Sequence, residues 1–203
     1  MKSNLAQYLG LLVLIFAGVF ALHYYEVVQE RKHPGTTDLN LATDLHLNNS
    51  RLYIKENSIE RSLYHLNSAI HSIELIEEVS DTLSIKELDD ALIDLKKVRK
   101  EIENGIVNYS HINHAFIVAL NSVATAQLRL SERYLLEGDA EDAGYAIKYA
   151  NEHIHNALKY ANDGEIQDEL RAYRHIDSLV HSKLDSSRIF DIERVISEIK
   201  EVK

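Results

Sequence analysis

Cysteine is absent from this chain of 203 residues. Its absence excludes disulfide bonds, thiol catalysis, zinc–thiolate sites, iron–sulfur clusters and covalently attached c-type haem. The lipidated cysteine of a bacterial lipoprotein is excluded for the same reason. Tryptophan is also missing, Pro34 is the one proline, and there are seven glycines. With so few helix breakers, and with much leucine, isoleucine, alanine, glutamate and lysine, the composition favours helices over sheets.

Positive charge is scarce. The formal net charge is −10, from 22 lysines and arginines against 32 aspartates and glutamates. Such a surface repels phosphate backbones, and no basic cluster interrupts it, so we expect no binding to nucleic acid. A hydrophobic content of 45% and a charged content of 27% exclude both a disordered tail and a membrane protein with many spans.

Catalytic motifs are lacking too. The sequence has no Gly-rich phosphate loop, no nucleophile elbow and no His-Glu-x-x-His motif. Adjacent carboxylates such as Asp89 and Asp90 diverge by about 100° on a helix, which indicates solvated faces rather than acid–base pairs. Met1 is the only methionine, which excludes histidine–methionine haem ligation. A carboxylate-bridged di-iron site needs two Glu-x-x-His motifs, and the sequence has one, Glu152-x-x-His155. We therefore expect no enzyme activity and no cofactor.

The longest apolar run lies near the N-terminus. Residues 5–22 read LAQYLGLLVLIFAGVFAL and carry no charge. As a helix they would be about 27 Å long, close to the hydrocarbon thickness of a bilayer. Tyr8 at one end, and Tyr24 and Tyr25 at the other, have the placement of interfacial aromatic belts. The sequence predicts a membrane anchor over residues 1–25.

Cleavage and orientation of this segment stay open. A cleaved signal peptide is the alternative to an anchor, but Phe20 suits a cleavage site poorly and the apolar run is longer than a typical signal core. Lys2 precedes the span, and Arg31 and Lys32 follow it, so the charge bias is small. Because a short N-terminus is usually retained inside, we expect a single-pass membrane protein with its C-terminal domain extracytoplasmic, on the periplasmic side.

Beyond the anchor, Pro34–Gly35 and the following TTDLN predict a linker over residues 26–49. From Ser50 onward, apolar residues recur at helical spacing. The first stripe runs to about Val79 and contains Leu52, Ile59, Leu63, Leu66, Ile70 and Ile73. Ser84 with Glu87 has the spacing of a capping box, which predicts the start of a second helix that Gly105 ends.

Two further long helices and two shorter ones complete the predicted domain at residues 50–203. The third stops before Gly138, and the fourth closes at residues 162–164. The predicted fold class is all-α: an antiparallel long-helix bundle of two αα-hairpins plus two shorter C-terminal helices, behind one N-terminal transmembrane helix. Leu66-Asn67-Ser68 recurs as Leu120-Asn121-Ser122, which allows an internal duplication as an alternative origin.

Residues 124–157 have large and small residues at the spacing of one tetratricopeptide (TPR) hairpin. The matching positions are Leu130, Ser131, Tyr134, Gly138, Asp139, Ala143, Ile147 and Ala150. The stretch resembles a single TPR unit of about 34 residues, and the resemblance implies a TPR-like array as the second choice of architecture. Gln127 and His155 depart from the family's tryptophan and proline, and no second unit follows. Stacked repeats need several units, so we favour the bundle.

Eleven histidines raise the possibility of a metal site. Imidazole binds zinc, copper and nickel, and two ligands on one helix must be three or four residues apart. His111 and His114 meet that spacing, whereas His153 and His155 are two apart. Helical phasing places His153 at the edge of the apolar face of its helix. It places His111, His114 and His155 on the sides of their helices that point away from the apolar faces. We interpret the histidines as scattered surface residues, with these four as the candidate metal ligands.

These features predict a membrane-anchored, extracytoplasmic helical scaffold or binding module. Its partners would be the membrane, through residues 5–22, and a protein at or near the membrane. In one form of this role, the chain is an accessory subunit of a membrane complex. The alternative is a periplasmic ligand- or metal-binding helical bundle that uses histidines.

Overall fold

The computed structural model describes residues 37–202, with side chains from residue 41 onward. Within this range the chain forms seven α-helices and a 3-10 turn at Ser186–Arg188, and no strand. The helices are α1 (Thr37–Lys55), α2 (Ile59–Glu77), α3 (Thr82–Glu103), α4 (Tyr109–Glu137), α5 (Ala140–Ala157), α6 (Ile166–Val180) and α7 (Ile189–Glu201). The all-α prediction is confirmed for these residues.

The predicted anchor at residues 1–25 lies outside the described residues. Within residues 37–202, none of the helices combines the length and the hydropathy that a membrane span requires. The segment Asp38–Lys203 forms one compact unit.

The prediction of a linker over residues 26–49 is wrong for its described part, because α1 begins at Thr37. The helix is apolar on two faces. Leu47 and Ile54 point into the core, whereas Leu41, Leu45 and Leu52 are exposed. Apolar residues on both sides give no single stripe, so helical periodicity does not stand out in the sequence.

A break at residues 56–58 divides the first predicted stripe into α1 and α2. Asn57 has a φ of 56°, in the left-handed region, and the Ser58 amide donates to the Tyr53 carbonyl over 2.8 Å. Asparagine tolerates this conformation better than most residues. The prediction of one continuous helix from Leu52 to about Val79 is therefore wrong.

Asp81, not Ser84, caps helix α3. Its Oδ1 accepts hydrogen bonds from the amides of Leu83 at 2.8 Å and Ser84 at 3.1 Å. The Ser84 hydroxyl is turned back and donates to Asp81 Oδ2 over 2.7 Å. The predicted capping box is wrong because an aspartate three residues earlier satisfies the free amides of the first turn.

Helix α4 is central to the packing. It has 29 residues and stops before Gly138, as the sequence predicts. Gly138 has a φ of 84°, which suits a left-handed C-terminal cap. Helices that follow one another from α2 to α7 pack side by side, and α7 returns to pack against α4. The hairpin predicted at residues 124–157 is present in the C-terminal part of α4, the turn and α5, while its TPR-like character stays a prediction.

Two apolar clusters form the core, and α4 contributes to both. The first joins α1, α2, α3 and the N-terminal half of α4, with Leu66, Leu95 and Phe116 among its fully buried side chains. The second joins the C-terminal half of α4 to α5, α6 and α7, around Ile147 and Ile176. Because α4 packs into both clusters, the polar residues on this helix are held in fixed positions.

Candidate functional site

Polar side chains occupy buried positions along α4. They are Asn121, Ser122, Thr125, Gln127 and Ser131. Sequence patterns do not identify them as a set, because helical periodicity is read from apolar residues and leaves inward polar residues unassigned. Buried polar groups require hydrogen-bond partners, so their surroundings decide what this helix can do.

Asn121 pairs with a carboxylate of α6. Its Nδ2 donates to Glu169 Oε1 over 2.7 Å, and Glu169 is fully buried. Burial raises the pKa of Glu169 to about 7, with the Asn121 hydrogen bond lowering it and Glu165 and Asp168 raising it. Glu169 Oε2 and Asn121 Oδ1 have no hydrogen-bond partner among the described residues. The pair therefore holds a carboxylate that gains or loses its proton near neutral pH.

A recess lies beside Asn121, between α3, α4 and the C-terminal end of α7. It has a volume of about 80 Å³, and its lining includes Glu87, Asp90, Asn121, Thr125, Ile199 and Lys200. Glu87 Oε1 is 2.7 Å from Lys200 Nζ and 3.5 Å from the Arg129 guanidinium. Charged groups beside an apolar wall and a buried amide are the usual lining of a small-ligand site.

A second recess of about 250 Å³ adjoins the first and shares Lys200 with it. Glu132 and Glu193 lie in its wall. Burial raises the pKa of Glu132 to about 7, and repulsion from Glu193 adds to the effect while Arg129 opposes it. This carboxylate is a second group that titrates near neutral pH, and perturbed groups of this kind occur often at functional sites.

His153, the first of the candidate metal ligands, is fully buried. Its Nδ1 lies 2.5 Å from Asp44 Oδ2, and Asn156 Nδ2 donates to Asp44 Oδ1 over 2.6 Å. His153 Nε2 has no partner among the described residues. The interpretation as a surface histidine is wrong for this residue, because it joins α5 to α1, a helix absent from the prediction.

The other three candidates contact different partners. His111 Nδ1 lies 2.7 Å from Glu101, and His114 Nδ1 lies 3.3 Å from Glu165. His155 is exposed, with its ring 5.4 Å from that of Tyr173. In the part of the chain that the structure describes, no three metal-binding side chains are grouped to hold an ion.

A histidine pair that the sequence analysis missed joins α1 to α2. His46 Nδ1 and His65 Nδ1 are 2.9 Å apart, and the His65 ring stacks on Tyr53. Burial lowers the pKa of both histidines, and His65 further lowers that of His46. With α1 assigned to a linker, no pattern in the sequence pointed to this contact.

The outer face of α1 is the other candidate site. Leu41, Leu45 and Leu52 are 43%, 57% and 47% exposed, and Asn48 and Lys55 are exposed on the same side. These five residues are called the α1 face below. Contiguous exposed apolar residues of this kind mark interaction surfaces more often than single ones do.

The opposite side of α1 is firmly attached. The hydroxyls of Ser50 and Ser62 are 3.0 Å apart and buried. Arg51 donates to the Lys159 carbonyl over 3.1 Å and lies 5.1 Å from the centre of the Tyr160 ring. These contacts, with the Asp44–His153 pair, hold α1 on α2 and on the C-terminal end of α5, so the α1 face is displayed on a fixed helix.

Comparison of the chain with protein-family models, curated proteins and solved structures finds no match. The class that the fold and the sites define is an all-α protein that displays an apolar helix face and carries a polar recess beside its central helix.

Proposed function

We propose that this chain is a membrane-anchored helical binding module that lies outside the cytoplasm and engages a protein partner through the α1 face. The proposal joins two parts. The uncharged run at residues 5–22 supports the anchor, and the domain behind it is taken as an antiparallel long-helix bundle. The observation that carries the binding role is the α1 face, where three leucines of a firmly packed helix are exposed.

The chemistry of the α1 face indicates the kind of partner. Leu41, Leu45, Asn48 and Leu52 follow one another at steps of four, three and four residues, the spacing at which two helices interlock their side chains. The face has no carboxylate, although the whole chain carries a charge of −10. A partner that presents an apolar helix therefore fits this face better than a basic surface does.

Site-specific photocrosslinking tests the binding role. Benzoylphenylalanine is placed at position 45 of the full chain in the membranes of its own cells, and at position 136 as a control. Leu136 is 73% exposed on α4, outside the α1 face. We expect an adduct of defined mass from position 45 alone, with the cross-link mapped by mass spectrometry to an apolar helical segment. Equal adducts from both positions, or none from position 45, would contradict the proposal.

The anchor and its orientation are tested in the same cells. Because the chain lacks cysteine, Asp163→Cys introduces one reactive thiol in an exposed turn. We expect a membrane-impermeant maleimide to label intact cells, and the labelled protein to stay in the membrane fraction after alkaline carbonate extraction. Labelling only after permeabilisation indicates the opposite orientation, and release by carbonate indicates cleavage of the N-terminal segment.

Small-ligand binding is the second candidate function. The observation that favours it is the recess beside Asn121, whose buried Oδ1 has no hydrogen-bond partner among the described residues. We take the ligand-binding alternative at this recess rather than at the histidines, because His111, His114 and His153 each contact a carboxylate on another element. We rank it second, because Glu87 and Lys200 at the recess already neutralise each other.

A further inference from the structure

We propose that the contact between His46 and His65 makes the attachment of α1 to α2 sensitive to acid. The contact tolerates one added proton, and a second added proton opens it, so α1 separates from α2 in mildly acidic solution. This inference goes beyond the proposed function and does not depend on it, since it concerns how α1 is held and not what binds to its outer face.

The two rings meet through the same nitrogen. His46 on α1 and His65 on α2 place their Nδ1 atoms 2.9 Å apart, which is a hydrogen-bond distance. A neutral imidazole carries one proton on one of its two nitrogens. One ring therefore donates from Nδ1, while the other accepts at Nδ1 and carries its own proton on Nε2. The contact joins the two helices without any charge.

One added proton is compatible with this contact. The donor ring takes it up at Nε2 and becomes an imidazolium, and its Nδ1–H still points at the lone pair of the other ring. A hydrogen bond from a charged donor is stronger than one between neutral groups. The singly protonated pair therefore stays closed.

A second added proton removes the acceptor. Both Nδ1 atoms then carry hydrogen, and two rings of like charge face each other across the contact. Burial lowers the pKa of both histidines, and repulsion from His65 lowers the pKa of His46 further, in agreement with a closed state that resists the second proton. Histidines that are separated and exposed to water take up that proton at an ordinary pKa of about 6.5. Acid therefore favours the separated helices.

The aromatic and basic neighbours of the pair do not offset the second charge. Tyr53 of α1 stacks on the His65 ring, and Tyr64 of α2 meets the same ring edge-on. Tyrosine side chains are uncharged in acid. Arg61 lies over the Tyr53 ring, 5.6 Å from its centre, and adds positive charge beside the contact.

The attachment of α1 to α5 does not weaken in the same way. Asp44 is the carboxylate on α1 next to the pair, and it contacts His153 and accepts a hydrogen bond from Asn156, both on α5. Protonation of an imidazole beside a carboxylate adds attraction and no repulsion. The acid-sensitive contact is thus the one between α1 and α2, where the remaining hydrogen bond joins two serines that do not titrate.

The expected response follows from the number of protons bound. The separated state holds one proton more than the closed state at acidic pH, so the ratio of separated to closed molecules rises about tenfold for each pH unit below about 6.5. Above neutral pH the two states hold the same number of protons, and the ratio stays constant.

Thiol labelling of the full-length chain measures the separation. Ser50 of α1 is buried against Ser62 of α2, so Ser50→Cys places the single thiol of the chain where a reagent reaches it only when the helices part. Its labelling rate is divided at each pH by that of Asp163→Cys, in an exposed turn, to correct for the effect of pH on thiol reactivity. We expect the relative rate to rise at least tenfold between pH 7.5 and pH 5.0.

Glutamine variants identify the titrating groups. In His46→Gln and His65→Gln the amide offers a donor and an acceptor without titrating, so the relative rate should change less than twofold over the same range. His71→Gln, at an exposed position of α2, is the control and should keep the full rise. Because the readout is the pH dependence, a variant that loosens α1 at every pH still gives a clear result.

Three outcomes would overturn the inference. The first is a relative rate that does not change with pH in the parent background. The second is a rise that persists in both glutamine variants. The third is an equal rise for Ser131→Cys, at a buried position in the C-terminal half of α4, which would show that acid unfolds the whole chain. None of these outcomes bears on binding through the α1 face, which photocrosslinking tests separately.

Discussion

Among the residues that the structure describes, four histidines contact carboxylates on other elements. The pairs are His111–Glu101, His114–Glu165, His153–Asp44 and His175–Glu198. The pairing with Asp44 spans 109 positions of the chain, and that with Glu165 spans 51. Helical phasing shows whether a histidine faces the apolar stripe, but the partner on another helix depends on packing. Phasing set His153 apart from the other three candidate ligands, but the interpretation as a surface histidine is wrong for this residue, because its partner lies on another helix.

Glu169 makes stability depend on pH in a direction opposite to that of a salt-bridged carboxylate. Its pKa is about 7 in the folded chain and near 4.5 when unfolded, because burial disfavours the charged form. The folded state therefore binds more protons between these values, and stability falls as pH rises from about 4.5 to 7. Glu132, whose pKa is also raised to about 7 by burial, contributes in the same direction.

The variant Glu169→Gln removes this titration and keeps an acceptor for Asn121. We expect it to be more stable than the parent at pH 8, by up to about 3 kcal/mol, and to differ less at pH 4.5. Urea unfolding at both pH values measures the difference. Glu152→Gln, an exposed change within α5, is the control and should be neutral. A loss of stability that is the same at pH 8 and at pH 4.5 would show that burial does not raise the pKa of Glu169 in the fold.

The helices differ in how clearly the sequence defines them. α3 has a single apolar stripe, and α4 ends at a glycine with positive φ, so their positions follow from spacing and turn chemistry. α1 is apolar on two faces because one packs inside and the other is displayed, and periodicity alone does not separate such a helix from a loop. The element that the sequence analysis missed is thus the one with an unpaired face.

Asn57 sets the break between α1 and α2, and its backbone gives a test at the scale of one turn. A residue with a Cβ other than asparagine or aspartate is strained at a φ of 56°. We expect Asn57→Ala to destabilise the chain by about 1–2 kcal/mol. Asn57→Gly should leave stability within about 0.5 kcal/mol of the parent, because glycine adopts this conformation freely but orders at a higher entropic cost. Equal losses in both variants, measured by urea unfolding, would indicate a side-chain role for Asn57 instead.

The recess beside Asn121 could not be predicted from the sequence, for a different reason. Its charged residues Glu87 and Lys200 and its amide Asn121 belong to three helices, and they meet because α7 returns to α4. Periodicity defines the inward side of each helix but not how far one helix slides along another. The composition therefore predicted an all-α domain, whereas the site depends on the register between helices.

At the scale of the whole molecule, α4 joins the two apolar clusters, so we expect one cooperative unfolding transition. Phe116→Ala opens a cavity in the first cluster and Ile176→Ala in the second, and each side chain is fully buried. Losses of about 3–5 and 2–5 kcal/mol are expected for the two variants. Leu136→Ala, at an exposed position of α4, should stay within about 0.5 kcal/mol of the parent.

Thermal unfolding followed by circular dichroism and by tyrosine fluorescence distinguishes one transition from two. With eleven tyrosines and no tryptophan, the fluorescence reports from several helices at once. In both core variants the two signals should move together to a lower midpoint, because loss of either cluster exposes the buried face of α4 and removes support for the other. A variant in which the signals split into two transitions, with one of them at the parent midpoint, would show that the clusters unfold independently and that α4 does not couple them.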